Sequence, residues 1–241
     1  MGKINITVWN EYGEDQSGKD VKDIYPHGLH VTIADFLNRD DSLSAKTAVF
    51  SEAEHGLTET VLDNTDVLIW WGHMYHNKVE DYIAHRVVER VQRGMGIVFL
   101  HSAHKSKPFM RLLGTSGSLS WREAGERSRV WTCDPSHPIA RGIPLQFELN
   151  QEEMYGEPFG IPEPLQTVFI SWFQGGNVFR SGVTFQRENG KIFYFQPGHE
   201  SHPTYHNENV RKIIINAVKW AAPIVKAASL DCPNTPPLEK L

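Results

Sequence analysis

Cysteine is nearly absent: 241 residues contain only Cys133 and Cys232, far apart in the chain. That excludes a disulfide-framed scaffold and fits reduced thiols in a cytoplasmic protein. No apolar run approaches the roughly 20 residues a membrane-spanning helix needs. The start, Met1-Gly2-Lys3-Ile4, enters a strand pattern directly and does not resemble a signal peptide. No membrane association is therefore expected. An excess of positive charge is also missing. Lys and Arg number 24 against 29 Asp and Glu, a net charge of −5, which argues against a nucleic-acid binder. Closely spaced Cys/His zinc signatures are lacking. So is a Gly-x-Ser-x-Gly elbow: Leu100-His101-Ser102-Ala103-His104 has neither glycine, which leaves Ser102 a poor nucleophile. Gly114-Thr115-Ser116-Gly117 is too short for a phosphate loop, and there is no internal repeat.

What is present is an ordinary globular composition, 40% apolar and 22% charged, with an unusual 12 histidines beside 7 tryptophans and 12 phenylalanines. The size suits one domain carrying an insertion. Ile4-Asn5-Ile6-Thr7-Val8-Trp9 alternates and is β-branched, the mark of a first strand ending at Asn10-Glu11. A polar loop from Tyr12 to Asp23 follows, then a helix after Pro26 with Ile33, Phe36 and Leu37 inward. Thr47-Ala48-Val49-Phe50 and Val67-Leu68-Ile69-Trp70-Trp71 are the next strands, stopping at Ser51-Glu52 and Gly72-His73. Asn77 with Glu80 has capping-box spacing ahead of Tyr82, Ile83, Val87 and Val91 at helical period, closed by Gly94. Ile97-Val98-Phe99-Leu100 is a continuous apolar run, as buried parallel strands are, and breaks into His101-Ser102-Ala103-His104. This alternation of strand and helix predicts an α/β fold with a doubly wound parallel sheet.

Between about 120 and 185 the rhythm changes to short segments punctuated by Pro and Gly, which predicts an irregular, partly antiparallel insertion over the sheet edge. Glu188-Asn189-Gly190 between two β runs is a hairpin signal. The last strand runs into Gln196-Pro197-Gly198-His199-Glu200. Asn207 then caps a helix with Val210, Ile213, Ile214, Ala217 and Val218 on its inner face. Residues 1–222 make one domain on this reading, and 223–241 a Pro-rich tail.

Glu11, Glu52, His73, His101 and His199 each stand just past an expected strand, and in a parallel sheet those ends share one edge. One such residue usually hydrogen-bonds backbone, whereas several together point to a site. Histidines with a carboxylate suit a divalent metal, Zn2+ first and Mn2+ or another first-row ion next. His30, His101, Glu153 and His199 are the candidate ligands, and Glu11, His73 and His104 the acid–base candidates. The same groups would also serve a metal-free site with a histidine as acid or base. His76, His85, His137, His202 and His206 read as solvated or structural. Trp70, Trp71, Tyr75, Trp172 and Phe173 read as core or lid, one or two of them able to stack on a sugar.

In Trp71-Gly72-His73, Leu100-His101-Ser102-Ala103, Ser136-His137-Pro138-Ile139-Ala140-Arg141-Gly142-Ile143, Glu152-Glu153-Met154-Tyr155 and Gly190-Lys191-Ile192-Phe193-Tyr194 through Gly198-His199, the chain resembles the trehalose-utilisation (ThuA-like) proteins. The resemblance implies a flavodoxin-like fold related to class I glutamine amidotransferases. It implies a part in sugar catabolism, particularly of oxidised disaccharides. The strand-to-helix turn that carries a nucleophilic cysteine in amidotransferases holds His101-Ser102 here, so glutaminase chemistry is not expected. Two functions follow from the resemblance and the residues together. One is a metal-dependent enzyme that isomerises or hydrolyses a sugar or keto-sugar. The other is a non-catalytic carbohydrate-binding or regulatory protein. A small-molecule sugar partner is common to both, and a homo-oligomer is left open.

Overall fold

A computed structural model describes residues 2–240. In chain order the elements are β1 (Ile4–Asn10), α1 (Lys19–Ile24), α2 (Leu29–Leu37), β2 (Leu43–Val49), α3 (Glu59–Asp63), β3 (Val67–Trp71), α4 (Asp81–Gln92), β4 (Gly96–Leu100) and α5 (Lys107–Leu113). There follow β5 (Ser120–Thr132), β6 (Gln146–Gly156), β7 (Gln166–Phe173), β8 (Val178–Arg187), β9 (Gly190–Phe195) and α6 (Glu208–Ala221). All nine strands form one sheet, ordered β2-β1-β3-β4-β9-β8-β7-β5-β6. The first five in that order are mutually parallel, and every pairing from β9 outward is antiparallel.

The continuous apolar strands follow from burial on both faces. In β4, Val98 and Leu100 join the core under α2 and α6, while Ile97 and Phe99 join the core under α4 and α5. Trp71 and Trp70 divide the same way at the end of β3. Such a strand has no polar face to alternate with, so its sequence reads as an unbroken run.

The 120–185 segment is more regular than its Pro and Gly suggest. It supplies β5 to β8 and continues the parallel sheet as an antiparallel wing, joined through the β8–β9 ladder. Its ladders β5–β6 and β7–β8 both shift register, and the larger slip is in β5, which advances four residues, Arg122 to Glu126, while β6 advances two, Met154 to Glu152. The slack is a bulge holding Glu123, with Gly125 at φ +58°.

Other expectations change in detail. The Tyr12–Asp23 loop contains a 3-10 turn at Glu14–Ser17 and the start of α1, with Val21 buried. The short α3, capped by Thr58 Oγ1 on the Val61 N–H at 3.3 Å, is an unexpected helix. Asn77 does not cap α4. Tyr75 O closes a turn on Lys78 N and Val79 N, and the helix starts three residues later than its capping-box spacing suggests. The β8–β9 turn is Glu188-Asn189, with Gly190 already in β9, where a Cβ would overlap the Val91 carbonyl of α4. The tail has no regular structure, yet Ala227 N bonds Arg93 O and Lys226 Nζ bonds Thr65 O.

Candidate functional site

Three histidine rings converge at the carboxyl ends of β3, β4 and β9. The ring centroids of His73, His101 and His199 lie 5.3 to 6.2 Å apart with near-perpendicular planes. The backbone explains how each arrives. His101 leaves β4 with φ +53°, a left-handed conformation that turns the chain at once into a 3-10 turn. Tyr194 Oη donates to its carbonyl at 3.0 Å, and its own Nδ1–H donates to Gln196 O at 2.9 Å. That bond fixes the ring orientation and turns Nε2 toward the cluster.

Glu153 meets it there. Its Oε2 lies 2.9 Å from His101 Nε2, but the pair is not aligned as a hydrogen bond, and this buried oxygen has no hydrogen-bond partner. His101, Glu153 and His199 bring one ligand atom each within 4.8 Å of one another, all three buried. Two ligands about 2.0–2.2 Å from one metal stand roughly 2.9–3.4 Å apart, so the His101–Glu153 spacing fits adjacent corners of a coordination shell. His199 Nδ1 accepts the Ser201 N–H at 3.2 Å and lies 2.8 Å from Ser201 Oγ.

A second group adjoins this one. His73 Nδ1 stands 3.3 Å from Glu200 Oε1 and 3.5 Å from Asp15 Oδ2. Both Asp15 oxygens, Glu200 Oε2 and His73 Nδ1 are buried without a hydrogen bond. Unpaired buried polar atoms are costly, and their concentration on one edge marks a candidate functional site. His73, His199 and Glu200 also converge, as do Glu123, His199 and His202, with His202 Nε2 3.1 Å from Glu123 Oε1.

Charge follows the geometry. Burial opposes a proton on His73, yet Asp15 and Glu200 hold its pKa up at about 10, and His73 in turn helps hold Glu200 down at about 2. Burial likewise opposes charge on His101, but Glu153 raises its pKa and is itself lowered by the same contact. His199 falls to about 4 through burial and the charge on His101. Next to these groups opens a cavity of about 310 Å3, lined by His73, His76, Ser102, His104, Lys105, Leu119, Trp121, Glu153 and Tyr155. His104 Nδ1 donates to Gly117 O at 2.6 Å, so Nε2 is a fixed acceptor, and burial holds its pKa at about 3.

Of the sequence candidates, His73, His101, Glu153 and His199 come together, and His104 lines the cavity beside them. Glu11 and His30 do not join. Glu11 is buried beneath the turn after β3 and spends both oxygens on backbone, accepting from Met74 N at 2.6 Å and Tyr75 N at 2.9 Å. It shapes the loop that carries His73. His30 faces Asn10, its Nδ1 3.2 Å from Asn10 Nδ2, in a network closed by Gln16. Glu52 is exposed and borders a separate, larger cavity of about 580 Å3 between β1, β2 and α3.

Sequence reasoning missed Asp15, Glu123 and Glu200, and read His76 and His202 as solvated or structural. Glu200 had a signal, since it follows His199 at a strand end. Asp15 lay in an expected loop, and Glu123 is brought in by a bulge, which leaves no periodic trace.

The family model described as trehalose utilisation, ThuA, matches residues 5–221. No curated protein matches the chain. Among solved structures, a ThuA-like protein from Parabacteroides merdae is similar at a TM-score of 0.70 and 14% identity, covering 93% of each chain. A ThuA-like protein from Bacteroides uniformis gives 0.65 and 14%, covering 91% of each. A glutamine amidotransferase from Thermotoga maritima gives 0.53 and 10%, covering 90% of this chain and 97% of its own. At these identities the structural likenesses establish the fold.

Proposed function

This chain belongs to the trehalose-utilisation (ThuA) family, and from that premise we propose that it is a metal-dependent enzyme moving a proton next to the carbonyl of an oxidised sugar or disaccharide. The observation that carries the reading is the buried trio His101, Glu153 and His199, converging within 4.8 Å with Glu153 Oε2 unpaired. These residues would hold a divalent ion such as Zn2+ or Mn2+, with Glu200 and His73 at its margin. Such an ion supplies Lewis acidity to a substrate oxygen.

The chain's own residues do the rest. His104 Nε2, kept neutral and free to accept, orients a substrate hydroxyl in the 310 Å3 cavity. Trp121, 66% exposed at the cavity wall, offers an aromatic face to the C–H side of a sugar ring. His73, backed by Asp15 and Glu200, holds and moves the proton. Its ring lies 5.6 to 6.2 Å from those of His199 and His101. His73 would release its proton more readily beside a divalent ion held by His101, Glu153 and His199. Cys133 and Cys232 are both exposed and unpaired, which suits a reducing, cytoplasmic setting.

Solvent deuterium entering a keto-disaccharide at the carbon beside the carbonyl, followed by NMR in the presence of Zn2+ or Mn2+, tests the reading. Exchange and turnover are expected, with His73→Asn losing roughly 10²–10⁴-fold in kcat while keeping its metal. Turnover without label, backed by a labelled-substrate control for shielded transfer, replaces isomerisation by hydrolysis. Tight sugar binding without turnover makes this a binding protein.

A further inference from the structure

Glu152 is completely buried, yet every group it accepts from is uncharged. Its Oε1 takes the N–H of Glu153 at 3.1 Å and of His199 at 3.2 Å. Its Oε2 takes the N–H of Gly198 at 3.0 Å and the Thr204 hydroxyl at 2.8 Å. Three backbone N–H donors and one hydroxyl converge on this side chain, which calls for a group able to accept at both oxygens, as a carboxyl group does, and burial raises its pKa. An amide would turn an NH2 toward an N–H. Burying a carboxylate without a counter-ion is expensive, and apolar packing would hold β6 in place at less cost.

What the carboxylate gains is control of the 198–204 segment, which bears His199, Glu200 and His202. The segment is pinned from the opposite side as well. Gly198 O accepts from Trp71 Nε1 at 3.0 Å, and His202 O accepts from Tyr25 Oη at 2.6 Å. Gly198 sits at φ +143°, where a Cβ would overlap the Tyr205 hydroxyl. The chain at this point has no slack of its own. Its hold on the wing runs through Glu152, whose neighbour Glu153 reaches His101 from the same strand.

We infer that Glu152 is a positioning residue, a carboxylate on β6 that orients the peptide units of Gly198 and His199 and so sets where the His199 ring meets His101 and Glu153. The inference rests on the proposed metal site for one of its two readouts and is independent of it for the other.

Glu152→Gln, Glu152→Asp and Thr204→Val are compared with the parent by calorimetric titration with Zn2+ alone. The histidine rings are followed in the metal-free proteins by long-range 15N–1H spectra. In Glu152→Gln the circular dichroism stays parental, Zn2+ affinity falls by roughly 10–100-fold, and the His199 ring signals move. The signals of His137, remote from the site, stay in place. Glu152→Asp, which keeps a carboxyl group, recovers part of the affinity. Thr204→Val, which removes one donor of four, shifts both readouts the same way by less. A Glu152→Gln protein with parental affinity and parental His199 signals, altered only in melting temperature, overturns the inference. Should that variant fail to fold, Thr204→Val decides by the same two readouts, and no change in either overturns it. If the parent binds no Zn2+, the metal reading fails, and the His199 signals alone decide the role of Glu152.

Discussion

The parallel half of the sheet sets its functional groups at strand ends, whereas the antiparallel wing sets them inside a strand. His73, His101 and His199 follow β3, β4 and β9, strands of five or six residues buried on both faces. Glu152, Glu153 and Tyr155 lie within β6, an 11-residue strand whose first half alternates and whose last five residues are all buried. The difference teaches how each half specifies a position. A parallel strand delivers whatever residue comes after it to the common edge, so topology alone does the placing. A residue inside a wing strand reaches the edge only if register, bulge and twist all agree.

The sharpest way to break the comparison is to remove one proposed ligand from each half. His101→Ala and Glu153→Ala should each weaken Zn2+ or Mn2+ binding by more than the roughly 10–100-fold typical of an outer partner, and activity should fall with the metal. Elemental analysis and calorimetry read this out. A Glu153 variant with parental affinity would make the wing a wall and not a contributor.

pH probes the parallel half next. His199, His30 and His104 have pKa values of about 4, 4 and 3, below the ordinary 6.5, because they are buried. Between those values and 6.5 the unfolded chain binds protons the native state refuses, so stability rises with pH up to 6.5 and is lost below it. His73, raised to about 10, acts in the opposite sense: its contribution is complete below 6.5 and disappears as pH climbs through 10. Glu200, at about 2, contributes above its ordinary 4.5 and loses that contribution toward 2. Urea unfolding of the metal-free protein from pH 4 to pH 10 should therefore give a maximum near neutrality. His104→Gln should flatten the acid limb, and an unchanged limb would contradict the burial argument.

A smaller effect probes the joint between the halves. Gly190→Ala sets a Cβ against the Val91 carbonyl, and should cost about 1–3 kcal/mol in denaturant unfolding while leaving activity per folded molecule intact. The smallest effect is expected from Cys133→Ser with Cys232→Ser, both exposed, which should change stability by less than about 0.5 kcal/mol and activity not at all. Lost activity in a folded double variant would bring thiol chemistry back into consideration.

Much of the parallel half was legible because its physics is local. Apolar runs bounded by Gly and polar residues announce strands buried on two faces, and Asn207 announces α6, accepting from Asn209 N at 2.9 Å and Val210 N at 3.3 Å. The wing was less legible. Its Pro and Gly mark turns, but they do not say that four strands will prolong the same sheet, and Asn77-x-x-Glu80 carried a capping signal that a turn at Tyr75 overrode. Local hydrogen bonding competed with the helix start and won.

By itself the sequence determined the family, the doubly wound half and the candidacy of His73, His101, Glu153 and His199, because each depends on short-range pattern or on residues that follow a strand. Only the tertiary structure decided which candidates meet. Glu11 and His30 stand at the right edge, yet Glu11 is drawn off by the backbone amides of Met74 and Tyr75 and His30 turns to Asn10. Asp15, Glu123, Glu152 and Glu200 enter through a loop, a bulge, a strand register and a neighbouring position. Site geometry is a matter of a few ångströms between groups up to 185 residues apart in the chain, Asp15 and Glu200. That distance is set by how strands pair and how the core packs, which no single stretch of sequence encodes.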